Sequence, residues 1–445
     1  MAAISGFPYF EIEFDKKGAA HDPAQRQALL DFVAKGKDQV TDLLVLSHGW
    51  NNDMADARDL YRRLLARLRD GIDGGKVAGV KERKFAICAV LWPSKKFTDK
   101  ELIPSGAASA GGVVSTQALQ EEIDRVKDAF DSPTAAADLD RARALVSKLE
   151  DSKAARDEFA QILRSVLSAG TGNSNDEETP SAFFTLPGNE IIQRLSKPLP
   201  LAPGEPGGGA AGGVSGGTGG PAGGAAALGI FSGIKGGAMK LLNLTTYYQM
   251  KERAGLVGSK GVNPILREVE TKRPDLKLHL IGHSFGGRLV TAAVLGPDGA
   301  TPIKPETLTL LQAAFSHYGF SQGYEPGKDG FFRKVVSEKR VAGPVLATCT
   351  HNDKAVGKAY PIASQIAGQV AAALGDKNSR WGGIGANGAQ KTPESVDGKL
   401  LPAGGAYSFT AGKVHNLNAD SFIKDHSDIA RDEVAHAVLT AVAAT

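Results

Sequence analysis

The sequence predicts an α/β fold: a mainly parallel central sheet flanked by helices, with a helical and glycine-rich insertion. Three observations predict it. Short, continuously apolar runs alternate with segments of helical period. A leucine-rich run, Leu276-Lys-Leu-His-Leu-Ile281, leads straight into the turn Gly282-His-Ser-Phe-Gly286. A stretch of unlike composition, residues 98–240, interrupts the alternation. Continuously apolar strands suit a parallel sheet covered on both faces, and their alternation with helices is the α/β pattern.

Tyr9–Phe14 alternates apolar with charged residues and is the first expected strand. Leu43–Leu46 and Phe85–Trp92 are continuous apolar strands. Between them Asp56–Leu68 carries Leu60, Leu64 and Leu68 at helical spacing, which completes a strand–helix–strand unit. Residues 1–97 thus form the N-terminal part of the core. In the insertion, Ala118–Leu149 and Ala154–Leu167 are helical in composition and period, and Asn173–Thr179 is a polar break. Residues 202–236 are dominated by glycine, proline and alanine, which bury too little surface to fold alone. The expectation for 98–240 is a helical hairpin followed by a flexible tether, serving as a spacer or as a lid.

Residues 241–445 form the C-terminal part of the core. Helices are expected at Asn243–Ala254 and Asn263–Thr271, then the strand 276–281 and a helix from Gly286 to Leu295. Strands follow at Leu308–Phe315 and Pro344–Cys349, and a last helix at Ser427–Ala444, capped by Ser427 or Asp428. Right-handed crossovers would bring the serine turn and the later loops to the carboxyl edge of the sheet, where such folds bind ligands.

Composition narrows the function. Hydrophobic residues make up 42% and charged residues 23%, with net charge +3 and no block of Lys or Arg, so no nucleic-acid partner is expected. No apolar run reaches the ~18 residues of a membrane span. The start, Met1-Ala-Ala-Ile-Ser-Gly-Phe, lacks a basic segment followed by an apolar one, so a cytoplasmic location is expected; export without a cleaved signal would look the same. Cys88 and Cys349 lie in apolar strand-like runs and read as buried reduced thiols. The sequence has no HExxH, CxxC, phosphate-binding or acidic calcium-loop pattern, so no metal and no cofactor is expected.

A serine at the apex of a strand–turn–helix is held where a base can reach its hydroxyl. Gly282 and Gly286 remove side chains that would collide as the chain reverses. Ser284 is therefore the candidate nucleophile. It needs a base, usually histidine, and a carboxylate to fix the tautomer of that base. Asp353 follows the strand Pro344–Cys349 and is the candidate acid; a helix cap is its alternative reading. The preceding run ends in Ala314-Phe-Ser-His317 without a carboxylate. His426, in the late loop Asp425-His-Ser-Asp428, is the candidate base, with His415 and His436 as rivals. The backbone N–H of Phe285 and that of Trp50 are expected to form an oxyanion hole. Trp50 lies in Leu46-Ser-His-Gly-Trp-Asn-Asn-Asp53, where Gly49 permits the bend and His48 braces the loop.

These motifs together resemble the α/β-hydrolases. They are most similar to a group of largely uncharacterised bacterial hydrolase domains that combine His-Gly-Tyr/Trp-Asn-Asn, Trp-Pro-Ser, a helix opening with tyrosine, and a His-Ser-x-Gly turn. The corresponding residues are His48–Asn52, Trp92-Pro93-Ser94, Tyr247-Tyr248 leading to Arg253-Ala254, and His283–Gly286. The resemblance covers about residues 40–97 and 241–295. It implies a serine hydrolase acting on a small-molecule or lipid ester. Residues 98–240 depart from the pattern, in which the Trp-Pro-Ser strand is soon followed by the tyrosine helix. Two alternatives stand beside this expectation. One is a non-catalytic interaction module that uses the insertion. The other is an exported lipase-type effector touching membranes through Ala225–Leu244, with Leu228, Ile230, Phe231, Ile234, Met239 and Leu241.

Overall fold

The computed structural model describes residues 2–50, 53–94, 114–167, 177, 179–197, 232–353, 355–356, 365–367 and 379–445. The chain divides into two compact units. One comprises Met1–Lys95, Arg253–Asp353 and Gly383–Thr445; the other comprises Lys96–Glu252 and Lys354–Gly382.

Among the described residues the first unit holds a nine-stranded sheet. In chain order its strands are β1 (Ala2–Ile4), β2 (Phe7–Glu13), β3 (Asp42–Ser47), β4 (Phe85–Leu91), β5 (Lys277–His283), β6 (Thr307–Leu311), β7 (Val345–Cys349), β8 (Ser395–Lys399) and β9 (Val414–Asn418). Their spatial order is β1-β2-β4-β3-β5-β6-β7-β9-β8. Every neighbouring pair is parallel except β1–β2, an antiparallel hairpin closed by Ser5-Gly6 with both residues at positive φ. The architecture is thus α/β with a mostly parallel sheet.

Burial follows the sequence pattern. Strands β3, β4, β6 and β7 are buried along their whole length. Residues alternate between the two faces. Leu44, Leu46, Ile87, Ala89 and Ile281 pack in one cluster with Leu60, Leu64 and Leu68 of helix Met54–Asp73 and Val434, Val438 and Leu439 of helix Asp432–Ala443. On the other face Phe10 meets Phe32 of helix Pro23–Val33 at 5.0 Å between ring centroids. Helices Asn263–Lys272 and Phe285–Leu295 also pack there.

Several expected elements shift. The strand expected at Leu308–Phe315 ends at Leu311, because Gln312 takes a φ of 46° and leaves the extended region. The last helix begins at Asp432, not Ser427; Asp428 instead accepts the Lys424 N–H and pairs with Arg431. Helix Asn243–Ala254 is longer, Gly233–Leu256, and passes through a π turn, Val257–Val262, into the next helix.

In the second unit the run Ala118–Leu149 is two helices, Thr116–Val126 and Ala135–Leu145, parted at Pro133, which cannot continue a helix. Ser115 caps helix Thr116–Val126 and Ser152 caps helix Lys153–Ser165 by accepting the N–H groups of Ala118 and Ala155. Helix Gly188–Leu195 ends where the buried Lys240 ammonium donates to the carbonyls of Leu195 and Lys197; burial pushes Lys240 down to about 8. The glycines at 233–237 are helical, and a Cβ on Gly237 would lie 2.3 Å from Ile192 O. Close packing requires that glycine. Met239 and Leu241, which the membrane-contact alternative would place at an interface, are buried, while Leu228, Ile230 and Phe231 lie outside the described residues, as does most of the expected tether. Among the described residues no helix is long and apolar enough to cross a membrane.

Candidate functional site

Strand β5 delivers Ser284 to a turn that only small neighbours permit. A Cβ on Gly282 would lie 2.3 Å from Gly286 O, and one on Gly286 would lie 2.2 Å from Ser47 O. Ser284 itself takes φ 57° and ψ −126°, a conformation that costs a non-glycine residue ~1–3 kcal/mol. Strand β6 and the residues just after it hold it there. Leu311 O accepts the Ser284 N–H at 3.1 Å, and the Ala314 N–H donates to Ser284 O at 3.0 Å. Phe285 begins helix Phe285–Leu295, so its N–H lies in the first turn, at the positive end of that helix.

Asp353 and His426 are 73 positions apart in the chain, and the fold joins them. His426 Nδ1 lies 2.8 Å from Asp353 Oδ2, and both side chains are buried. Asp353 is fixed from its own loop as well. Thr350 Oγ1 and the His351 N–H donate to Asp420, and the Asn352 amide donates to the carbonyls of Asp420 and Ile423. Burial pushes the His426 imidazole down, but the Asp353 carboxylate and the hydrogen bond to it outweigh burial and hold it above its ordinary value.

His283, the residue before the serine, faces the same imidazole. The two rings are 4.9 Å apart, and His283 Nε2 donates to the backbone carbonyl of His426 at 2.8 Å. Its Nδ1 has no hydrogen-bond partner among the described residues. Burial, then the neighbouring His426, pushes His283 down to about 3, so it is neutral and carries its proton on Nε2. Ser284 and His426 are not hydrogen-bonded to each other among the described residues; His283 is the link between their loops.

The loop after β3 sits against the serine. A Cβ on Gly49 would lie 2.5 Å from Ser284 Cβ and 3.0 Å from its Oγ. His48 organises this loop from inside. Its Nε2 accepts the Trp92 N–H at 3.2 Å, its Nδ1 donates to Gly49 O at 2.9 Å, and its backbone carbonyl accepts Trp92 Nε1–H at 2.9 Å. The ring stacks on Trp92, and burial pushes it down to about 4, so it is a neutral brace. Tyr61 completes the brace: its hydroxyl accepts the His48 N–H at 2.8 Å and lies 2.6 Å from Val90 O. The peptide after Gly49 is trans, so tying Gly49 O to His48 turns the Trp50 N–H the opposite way. The Trp50 ring lies 6.0 Å from that of Phe285. Asn51 and Asn52 lie outside the described residues.

The rival histidines have other tasks. His415 lies on β9, where Nε2 accepts the Thr410 N–H at 3.0 Å. His436 donates to Gly405 O at 2.7 Å from the last helix. Neither Gln312, whose amide lies 3.2 Å from Asp353 Oδ2, nor Asp420 was marked by the sequence. The positive φ of Gln312 and the folding of 418–423 onto the 350–353 turn exist only in three dimensions. No protein-family model matches this chain, and comparisons with curated proteins and with solved structures give no match.

Proposed function

We propose that this chain is a serine hydrolase of the α/β-hydrolase kind that cleaves a carboxylic ester, small-molecule or lipid, through an acyl-enzyme. The observation that carries the reading is the buried 2.8 Å bond between His426 Nδ1 and Asp353 Oδ2, formed at the carboxyl edge of the sheet where β5 ends in a strained serine. In this reading Ser284 Oγ attacks the ester carbonyl carbon while His426 Nε2 takes the hydroxyl proton. Asp353 keeps the other ring proton on Nδ1 and stabilises the imidazolium. The N–H groups of Phe285 and Trp50 face the oxyanion; losing one such donor typically costs ~3–4 kcal/mol of transition-state stabilisation. The tetrahedral adduct expels the alkoxide, which leaves as the alcohol with the proton from His426. Water then repeats the sequence on the acyl-enzyme and releases the acid.

A fluorophosphonate probe, which phosphonylates an activated serine, tests this directly. Wild type should be labelled and Ser284→Ala spared. Equal labelling of the alanine variant would assign the reactive serine elsewhere.

A further inference from the structure

Ser284 is not alone in its strain. Gln312, fully buried at the end of the neighbouring strand, holds φ 46° without being glycine. Such residues are strained, persist only where the surroundings over-determine them, and cluster at functional sites. The surroundings of Gln312 do so. Its N–H donates to Thr348 Oγ1 on β7 at 3.1 Å. Gly385 packs onto its backbone so closely that a Cβ there would lie 2.6 Å from Gln312 C.

The two strained residues are coupled. Leu311, immediately before Gln312, accepts the Ser284 N–H, and Ala314, two residues after it, donates to Ser284 O. The Gln312 side chain points to the acid: Nε2 donates to Asp353 Oδ2 at 3.2 Å and to Gly385 O at 2.9 Å. Both partners are acceptors, which fixes the orientation of the amide. We propose that Gln312 is a positioning residue that ties the Ser284 turn to the Asp353 carboxylate and fixes the oxygen that holds His426. The inference rests on the reading of Ser284, His426 and Asp353 as the reacting set.

The chemistry favours an amide at this place. Asp353 Oδ2 accepts from His426 Nδ1 and from Gln312 Nε2 together. Two donors share one oxygen, and the second tempers its pull on the ring proton without adding charge. Among the described residues, the ionisable groups acting on His426 besides Asp353 are His283 across the rings and Asp425 beside it in the chain.

The test uses the full chain with Gln312→Met, which keeps the shape and loses the donor, and Gln312→Glu, which replaces the amide by a group that donates only when protonated. Two quantities are read: the fluorophosphonate labelling rate against pH, and the His426 titration by side-chain NMR. Gln312→Met should slow labelling by about 10²-fold, the cost of a small misplacement, and move the His426 midpoint upward. Gln312→Glu should label almost as wild type where the introduced carboxyl shares a proton with Asp353. Its rate should change as that proton leaves, adding an ionisation that wild type lacks. Should the methionine variant fail to fold, the added ionisation in the glutamate variant decides. A labelled wild type whose His426 midpoint and pH profile survive both changes overturns the role of Gln312 alone. A wild type that resists labelling overturns the hydrolase reading and this role with it.

Discussion

Three buried imidazoles crowd the ends of β3 and β5, and their surroundings drive them in two directions. His48 and His283 are pushed down by burial, to about 4 and about 3, while the carboxylate of Asp353 carries His426 up past the opposing effect of burial. The opposition sorts their roles. A group that stays neutral throughout the physiological range can brace and donate, but it cannot hold a proton taken from a hydroxyl. Of these three, His426 is the one hydrogen-bonded to a carboxylate that can stabilise its cation. The base form of His426 is lost as pH falls through a value above 6.5. Ester hydrolysis, read as kcat/KM, should therefore rise with pH through a midpoint above 6.5. Asp353→Asn should lower that midpoint and cut kcat by about 10⁴-fold. A pH–rate series on both proteins checks this, and a midpoint that the asparagine variant leaves in place would count against Asp353 as the partner.

Elements meet this site through contacts that only glycine allows. The segment Gly233–Leu256 enters a π turn at Val257–Val262, where a Cβ on Gly258 would lie 2.1 Å from Leu289 O in the helix that starts at the serine. Three residues earlier, a Cβ on Gly255 would meet nothing nearer than Arg288 Nε at 3.7 Å, an ordinary contact. The same substitution should thus act with opposite sign. Gly255→Ala should stabilise by about 0.5–1 kcal/mol, the usual helical preference for alanine. Gly258→Ala should destabilise by about 2–4 kcal/mol, because backbone must move away from backbone. Urea midpoints decide; similar midpoints in the two variants would mean that helix Phe285–Leu295 is not held against this turn. The sequence shows the central strands plainly because burial on both faces demands apolar residues, continuous in β4 and nearly so in β3: β3, β4, β5 and β7 fall within two residues of their expected bounds. It hides β8 and β9. The former is Ser-Val-Asp-Gly-Lys on an exposed edge. The latter is Val-His-Asn-Leu-Asn, polar in sequence yet mostly buried, because Asn416 is satisfied by Ala389 and Asp397, and His415 by Thr410. Partners brought by tertiary structure turn a loop-like string into a core strand.

At the scale of the first unit, the site collects residues from the ends of consecutive sheet positions: His48 and Gly49 after β3, Trp92 after β4, Ser284 after β5, Gln312 after β6 and Asp353 after β7. That Ser284 and Asp353 both follow strands at one edge of the sheet was legible because parallel strands place successive loops there. The supports were not, since His283, Gln312 and Asp420 act on groups tens of positions away. These supports make the buried histidines part of the stability of the molecule. In the unfolded chain each titrates near 6.5; in the fold His48 and His283 stay neutral to about 4 and about 3, and burial lowers His279 as well. Between these values the unfolded state binds protons that the folded state refuses, so stability must fall as pH drops. His426 acts in reverse: its contribution is fully present below 6.5 and is lost as pH rises through its raised folded value, so it offsets only part of the fall. His48 alone is worth on the order of 3 kcal/mol across the interval. Urea midpoints should drop steadily from pH 6.5 to 4.5, with proton uptake on unfolding seen by calorimetry in buffers of different ionisation heat. His48→Asn removes one of these protons and should flatten the slope while lowering stability at pH 7. An equally steep slope in that variant would mean that His48 is not the neutral, buried brace its hydrogen bonds describe.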